Sequence, residues 1–340
     1  MSVNAIKVAI LGLGRVGASA GLALARYSAR KDARQKFELF GFDPRPGVAS
    51  AAEKMGAVQH TARNVFDAVS GKDINFVAMP YAEVENVFRE VADALREDVV
   101  VLDASPLKLP SLEWRSKLLP AHAHLIGVTP VANPRYLFDG LDDTEHAAAD
   151  FSDDGFMLVM PDPRAAKAAV ELATDFSALL GATPHFVDPG EHDGLIAATE
   201  GLPALLGVMT FYMLQRSEGW ADARRMGNPA FGQLTHHLVD THPDDLRDLL
   251  LNNRQNVTRY LGELIEVMMS FHEILARGDG ADLEAALVET YDAYQVWLSK
   301  RTSGRWVETA DSSPDKAGDK LMSGLVGGFL ARRLRGEDSD

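Results

Sequence analysis

Gly12-Leu13-Gly14-Arg15-Val16-Gly17 follows directly on the apolar run Ile6 to Leu11 and opens a stretch of helical periodicity. A G-x-G-x-x-G set between a strand and a helix constrains the chain to a βαβ unit that accepts a dinucleotide. Gly12 permits the tight turn, and Gly14 lets the backbone approach a pyrophosphate. Gly17 lets the helix pack on the strand with its free N–H groups facing the anion. Arg15 and Val16 complete the turn and join the cofactor-binding set. Asp43 ends the second apolar run, Phe37 to Phe42, where a carboxylate can accept from both hydroxyls of an adenosine ribose. The expected cofactor is therefore NAD. NADP, whose 2′-phosphate Asp43 would repel, is the lesser alternative, kept open by Arg45. The long spacing from Gly12 to Asp43 is absorbed by an insertion at Ser28 to Lys36. A glycine-rich turn without a ligand would leave Asp43 unexplained.

Buried strands are expected at Ile6 to Leu11, Phe37 to Phe42, Ile74 to Met79, Val99 to Leu102 and Leu125 to Val128. The segments between them are long enough for crossover helices, so the sheet should be parallel and helix-covered. Phe156 to Met160 and Thr183 to Val187 flank a helix from Pro163 to Leu180 and carry the sheet to residue 188. After Asp188 the pattern becomes helical, through Leu195 to Gln215, Pro243 to Ala276 and Asp282 to Lys300. Asp188-Pro189-Gly190-Glu191 marks the change with an N-cap, a proline at the first helical position and a glutamate suited to a capping box. The expected class is α/β: an N-terminal Rossmann-type dinucleotide-binding domain over residues 1–188, then an all-α domain over 189–340. Leu321 to Leu330, rich in glycine, reads either as a close helix contact or as a frayed amphipathic tail.

Of the 340 residues, 34 are Lys or Arg and 49 Asp or Glu, a net charge of −15. That charge disfavours nucleic acid, which demands a cationic surface, and gives no support to an anionic membrane. The chain has no cysteine, which removes disulfides, thiolate nucleophiles and zinc-thiolate sites and suits a cytoplasmic location. The start, from Met1, lacks the pattern of a signal peptide. Leu195 to Leu214 is the most apolar stretch, but Glu200, Gly201 and Pro203 in it favour a buried helix over a membrane span. Arg26, Arg30, Lys31, Arg34 and Lys36 read as solvated charges at a helix end. Asp139, Asp142, Asp143, Glu145, Asp150, Asp153 and Asp154 read as a solvated loop or a mobile flap beside the site. His122 and His124 alternate on a strand without a carboxylate set, so no metal site is expected. Pro80 and Ser105 fall in loops at the carboxyl edge of the sheet, where cofactor and substrate meet.

Several of these segments resemble the prephenate and arogenate dehydrogenase family. Asp103 to Lys108 is similar to its D-x-x-S-x-K, with Asp103 one residue closer to Ser105 and Lys108 one residue further. Gly127 to Pro130 is similar to its G-x-H-P, Glu191-His192-Asp193 to its E-H-D, and Phe231 to Asn253 to its F-R-D-x-T-R segment and the helix that follows. The resemblance implies NAD(P)-dependent oxidation of a ring hydroxyl with decarboxylation, on the route to tyrosine. It also implies a homodimer built through the helical domain and a small-molecule substrate.

The departures fall on chemistry. The family's proton-accepting histidine reads Thr129, whose hydroxyl is no base near neutral pH. Its S-H-L-P-H reads Glu200-Gly201-Leu202-Pro203-Ala204, and its two arginines read Gly232 and His236. Loss of the arginine clamp argues for a substrate less anionic than prephenate. The candidate catalytic residues are Ser105, Thr129, His192, Glu200 and His236. His192 stands first as the replacement base. His237 is expected to point away from His236 toward solvent. Two other readings compete: an NADH-dependent reductase of a neutral or cationic substrate, and a non-catalytic NAD-binding dimer.

Overall fold

The computed structural model describes residues 5–139 and 141–304; Leu321 to Leu330 lie outside them. The strands are β1 (Ile6–Leu11), β2 (Phe37–Phe42), β3 (His60–Thr61), β4 (Ile74–Val77), β5 (Val100–Asp103), β6 (His124–Val131), β7 (Phe156–Pro161) and β8 (Thr183–Phe186). Around the sheet run α1 (Arg15–Ala29), α2 (Pro46–Lys54), α3 (Val65–Val69), α4 (Tyr81–Val91), α5 (Leu109–Leu118) and α6 (Lys167–Leu179). Then come α7 (Pro189–Ile196), α8 (Leu202–Leu214), α9 (Trp220–Ala223), α10 (Pro229–Thr235), α11 (His237–Asp240), α12 (Pro243–Asn252), α13 (Arg254–Arg277) and α14 (Gly280–Ser303).

The eight strands form one sheet in the order β3-β2-β1-β4-β5-β6-β7-β8. The order reverses between β1 and β4, so the connections that leave them run in opposite directions along the sheet, the arrangement that places a crevice above the glycine turn. Both faces of the sheet are covered. Val8, Ile10, Phe76 and Ile126 pack under α1 and α6, while Ala9, Leu11, Val77 and Val101 pack under α3 and α4. Burial on both faces explains the unbroken apolar runs. The fold class read from the sequence, a Rossmann-type sheet followed by helices, is the one observed.

One expectation about the sheet needs correction: β7 runs antiparallel to β6, with Thr129 opposite Leu158, whereas β8 is parallel to β7. Between β6 and β7 the described residues form only the short turns Pro134–Tyr136 and Thr144–His146. A parallel return needs a crossover, and without one the chain comes back antiparallel. The helix expected from Pro163 starts at Lys167, because Asp162 first accepts from the Arg164 backbone and makes a turn. The helix expected over Pro243 to Ala276 is two helices that break at Asn253.

The chain divides into two compact units, 1–257 and 258–340. The change at Asp188 is therefore one of secondary structure, while α7 to α12 lie in the same unit as the sheet. Asp188 caps α7 by accepting from the N–H groups of Gly190 and Glu191. Between α7 and α8, Ala197–Gly201 forms a π-turn. Pro189–Leu214 is, among the described helices, long and apolar enough to cross a membrane. Contrary to the buried helix expected there, α8 buries only Ala204 and Gly207.

Two glycines are fixed by close approach. A Cβ on Gly12, at φ +87°, would stand 2.2 Å from the Ala78 carbonyl oxygen, and one on Gly17 1.9 Å from that of Gly12. Gly14 meets nothing nearer than 3.9 Å. Gly17→Ala should therefore destabilise the protein by more than about 2 kcal/mol in denaturant unfolding. Gly14→Ala should stay within about 0.5 kcal/mol of the parent, and equal losses at the two positions would contradict this account.

Candidate active site

The carboxyl end of β5 turns tightly into α5. The buried Asp103 carboxylate accepts from the Ser105 N–H at 2.9 Å and from its hydroxyl at 2.9 Å. Ser105 Oγ also lies 3.2 Å from Ser111 Oγ. The Ser105 hydroxyl is thus buried and engaged within the turn. Lys108 closes this turn from beneath: its ammonium donates to the carbonyl of Asp103 at 3.0 Å and to that of Ser105.

The first N–H groups of α5 are orphan donors, and Asp193 of α7 takes them. Lys108 N–H donates to Asp193 Oδ1 at 2.8 Å and Leu109 N–H to Oδ2 at 3.0 Å. The same Oδ1 lies 2.9 Å from His192 Nδ1, and His192 Nε2 lies 2.8 Å from Thr129 Oγ1 on β6. Asp193 offers only acceptors, so the ring proton sits on Nδ1 and leaves Nε2 to accept from the Thr129 hydroxyl. Asn253, at the break between α12 and α13, donates to the Asp193 carbonyl at 2.6 Å. A half-buried hydroxyl is thereby joined through a fully buried imidazole to a buried carboxylate.

Burial holds the His192 imidazole below its ordinary range, and nearby Lys108 acts in the same direction, while Asp193 and Asp103 oppose. Burial likewise pushes the Glu200 carboxyl up, against the pull of Lys108 and with Asp142 adding to the rise. Glu200 nevertheless keeps an exposed surface. It lies in the π-turn, where the helical ladder is re-phased.

His236 is placed elsewhere. Its Nδ1 is 2.7 Å from the Gln233 carbonyl, and it lines a cavity of about 540 Å³ with Leu137, Phe138, Gly232 and Val239. His237 does not diverge from it as expected; the two rings lie against each other, tilted by 39°, with centroids 3.8 Å apart.

Gly14 lies at the N-terminus of α1 with no side chain capping it, so the free N–H groups of the first turn remain available to an anion. Arg15 turns away from them. Its guanidinium pairs with Asp139, bonds the Leu141 carbonyl, and lies 5.0 and 5.1 Å from the ring centres of Tyr136 and Phe151. Thr144 donates to the Leu13 carbonyl at 2.7 Å. These bonds tie the acidic segment to the glycine turn, and Arg26 and Arg135 pair with Asp153 and Asp150 further along it. Asp43 accepts from Leu13 N–H at 3.0 Å, and its other oxygen accepts from the Arg45 N–H and Nε, both at 3.0 Å. Val16 packs against the core, and exposed Pro80 precedes α4 at the end of β4. Among the described residues no group of three or more His, Asp or Glu is arranged to hold a metal ion.

Lys108, Asp193 and Asn253 were not among the candidate site residues. Adjacent helical positions point about 100° apart, so spacing alone does not pair His192 with Asp193. The signal that was present is Asp193 beside a histidine at a helix start.

The family model for the prephenate dehydrogenase nucleotide-binding domain matches residues 24–184. The cyclohexadienyl dehydrogenase of Zymomonas mobilis is 22% identical over 277 residues, covering 80% of this chain and 89% of that protein. Prephenate dehydrogenase from A. aeolicus, solved with hydroxyphenyl propionate and NAD+, superposes with a TM-score of 0.71 at 18% identity, covering 87% of this chain and 99% of that one. Synechocystis arogenate dehydrogenase gives 0.62 at 15% identity over 86% of this chain and 100% of its own. With a nucleotide-binding turn, a helical segment behind it and these likenesses in one chain, the protein is an oxidoreductase whose residues 24–184 match the prephenate dehydrogenase nucleotide-binding domain.

Proposed function

We propose that the chain is an NAD-dependent cyclohexadienyl dehydrogenase that oxidises a ring hydroxyl, with Thr129, His192 and Asp193 accepting the proton. The carrying observation is the unbroken run from the Thr129 hydroxyl through His192 to Asp193. NAD, when bound, supplies the hydride acceptor. The open position at Gly14, the uncapped start of α1 and the carboxylate of Asp43 suit that group. The protein's own part is the proton. A substrate hydroxyl set against Thr129 Oγ1 passes its proton to that oxygen as the threonine proton moves to His192 Nε2. Asp193 then stabilises the imidazolium. Threonine needs no basicity of its own in such a relay, which answers the loss of the family histidine. The cyclohexadienyl, prephenate and arogenate dehydrogenases that resemble the chain support the substrate class.

Gly232 and His236 stand where the resemblance implies arginines, so the guanidinium clamp for a carboxylate is lost. An amine-bearing ring substrate therefore fits this site better than the dianionic prephenate. Exposed Leu287, Val288, Tyr291 and Val296 on α14 demand cover, which supports a homodimer formed through the helical segment. The residues after 188 then serve as the substrate and dimerisation part.

NADH formation with arogenate should exceed that with prephenate, and no turnover of either at high enzyme would overturn the function. Thr129→Val and His192→Gln should each lower kcat by about 10²- to 10³-fold with cofactor binding retained, whereas Thr129→Ser keeps most of the rate. Because the base must be neutral, activity should fall as pH drops through the His192 pKa, at a midpoint below the ordinary histidine value of about 6.5. Gly14→Ala should abolish NADH binding in calorimetry while the fold survives. Undiminished binding would remove the pyrophosphate from that turn.

A further inference from the structure

Lys108 is not needed to move a proton in the scheme above, yet it touches every element that builds the site. Its stem lies against β6, where a Cβ on Gly127 would stand 2.9 Å from Lys108 Cδ, two residues before Thr129. Its ammonium ends at the carboxyl end of β5 on the carbonyls of Asp103 and Ser105. Its own N–H shares Asp193 Oδ1 with the His192 ring. The residue is 1% exposed, and among the described residues the ammonium forms no ion pair. A buried cation held by carbonyls alone is costly, and such groups concentrate where a site uses their field.

We propose that Lys108 is a positioning residue for the Thr129–His192–Asp193 run, its ammonium held on the carbonyls of the turn that Asp193 caps so as to offset the charge of Asp193. The proposal rests on the proton relay described above. Asp193 has to be ionised to fix the proton on Nδ1, but that same charge draws a second proton onto the ring. An imidazolium donates from both nitrogens and no longer accepts from Thr129. The charged groups that face His192 are Asp193 on its own helix and Asp103 and Lys108 from β5 and the turn after it. Burial draws the Lys108 ammonium below the ordinary lysine range, and the carboxylates that face it, Asp103, Asp193 and Glu200, oppose that and favour the charged form. The two aspartates favour imidazolium and the lysine opposes them, so the ammonium lets Asp193 orient the ring without protonating it.

The test is the titration of the His192 ring by NMR in full-length protein with labelled histidine, its signal assigned by loss in His192→Gln. Lys108→Met should move the midpoint up by about one pH unit, roughly tenfold more imidazolium at a given pH. Lys108→Arg should stay within about 0.3 units of the parent. A midpoint in Lys108→Met that is unchanged or lower overturns the proposal. The reading needs no substrate, so it stands apart from any failure of the proposed function. If Lys108→Met does not fold, the absence of cysteine in the chain offers another route. Lys108→Cys can be alkylated in denaturant with bromoethylamine, restoring an ammonium, or with iodoacetamide, leaving a neutral amide, and then refolded. The neutral adduct should titrate higher than the ammonium adduct, and equal midpoints would overturn the assignment. Where turnover is measurable, the acid limb of kcat/KM should shift with the ring while the rate near pH 9 changes little. A uniform fall at every pH would mark a merely structural lysine.

Discussion

The carboxylate of Asp193 is the junction on which the site depends. It takes two orphan N–H groups at the start of α5 and the ring proton of His192, while its own carbonyl takes the amide of Asn253. Four donors thus converge on this one buried residue. Two of the donors come from the start of α5 and one from the break after α12, so these bonds also fasten α7 to the turn after β5 and to the end of α12. Structure and reactivity therefore share one group, and the ring nitrogen facing Thr129 is defined by bonds made on the far side of the imidazole.

The sheet supplies the frame for this junction. The strand order reverses at β1 and β4, and the glycine turn at the end of β1 is held shut by the contact of Gly12 with Ala78. One strand further along, the turn after β5 is knitted by Asp103, Ser105 and Lys108. A nucleotide site at the end of β1 and a proton-accepting site at the ends of β5 and β6 thus share one edge of the sheet with β4 between them, each rigid for its own reason: backbone crowding in the first, side-chain hydrogen bonds in the second.

How much of this was legible in the chain depends on the kind of signal. β1 and β2 were delimited to the residue, because each mostly apolar run ends sharply, the first in glycine and the second in aspartate. The antiparallel course of β7 was not legible, since apolar content carries no direction; the missing crossover helix was the clue. Thr129 and His192 were named, 63 positions apart, but their bond depends on how α7 meets β6. Asp193 escaped because a helix separates neighbours in angle, and the bond arises only from the rotation its backbone donors impose. His236 was placed by likeness to a substrate-gripping arginine, and its local bond to Gln233 answers to α10 alone.

The π-turn at Ala197–Gly201 carries a consequence of another kind. A wide turn holds one residue more than the regular ladder, and each residue advances a helix by about 100°. Everything in α8 is therefore rotated by that amount relative to α7, and Glu200 sits at the step. Deleting one residue there would restore the ladder and turn a different face of α8 toward the site, with His192 and Asp193 left in place. Chain length at this point, as much as side-chain identity, sets which groups a substrate meets.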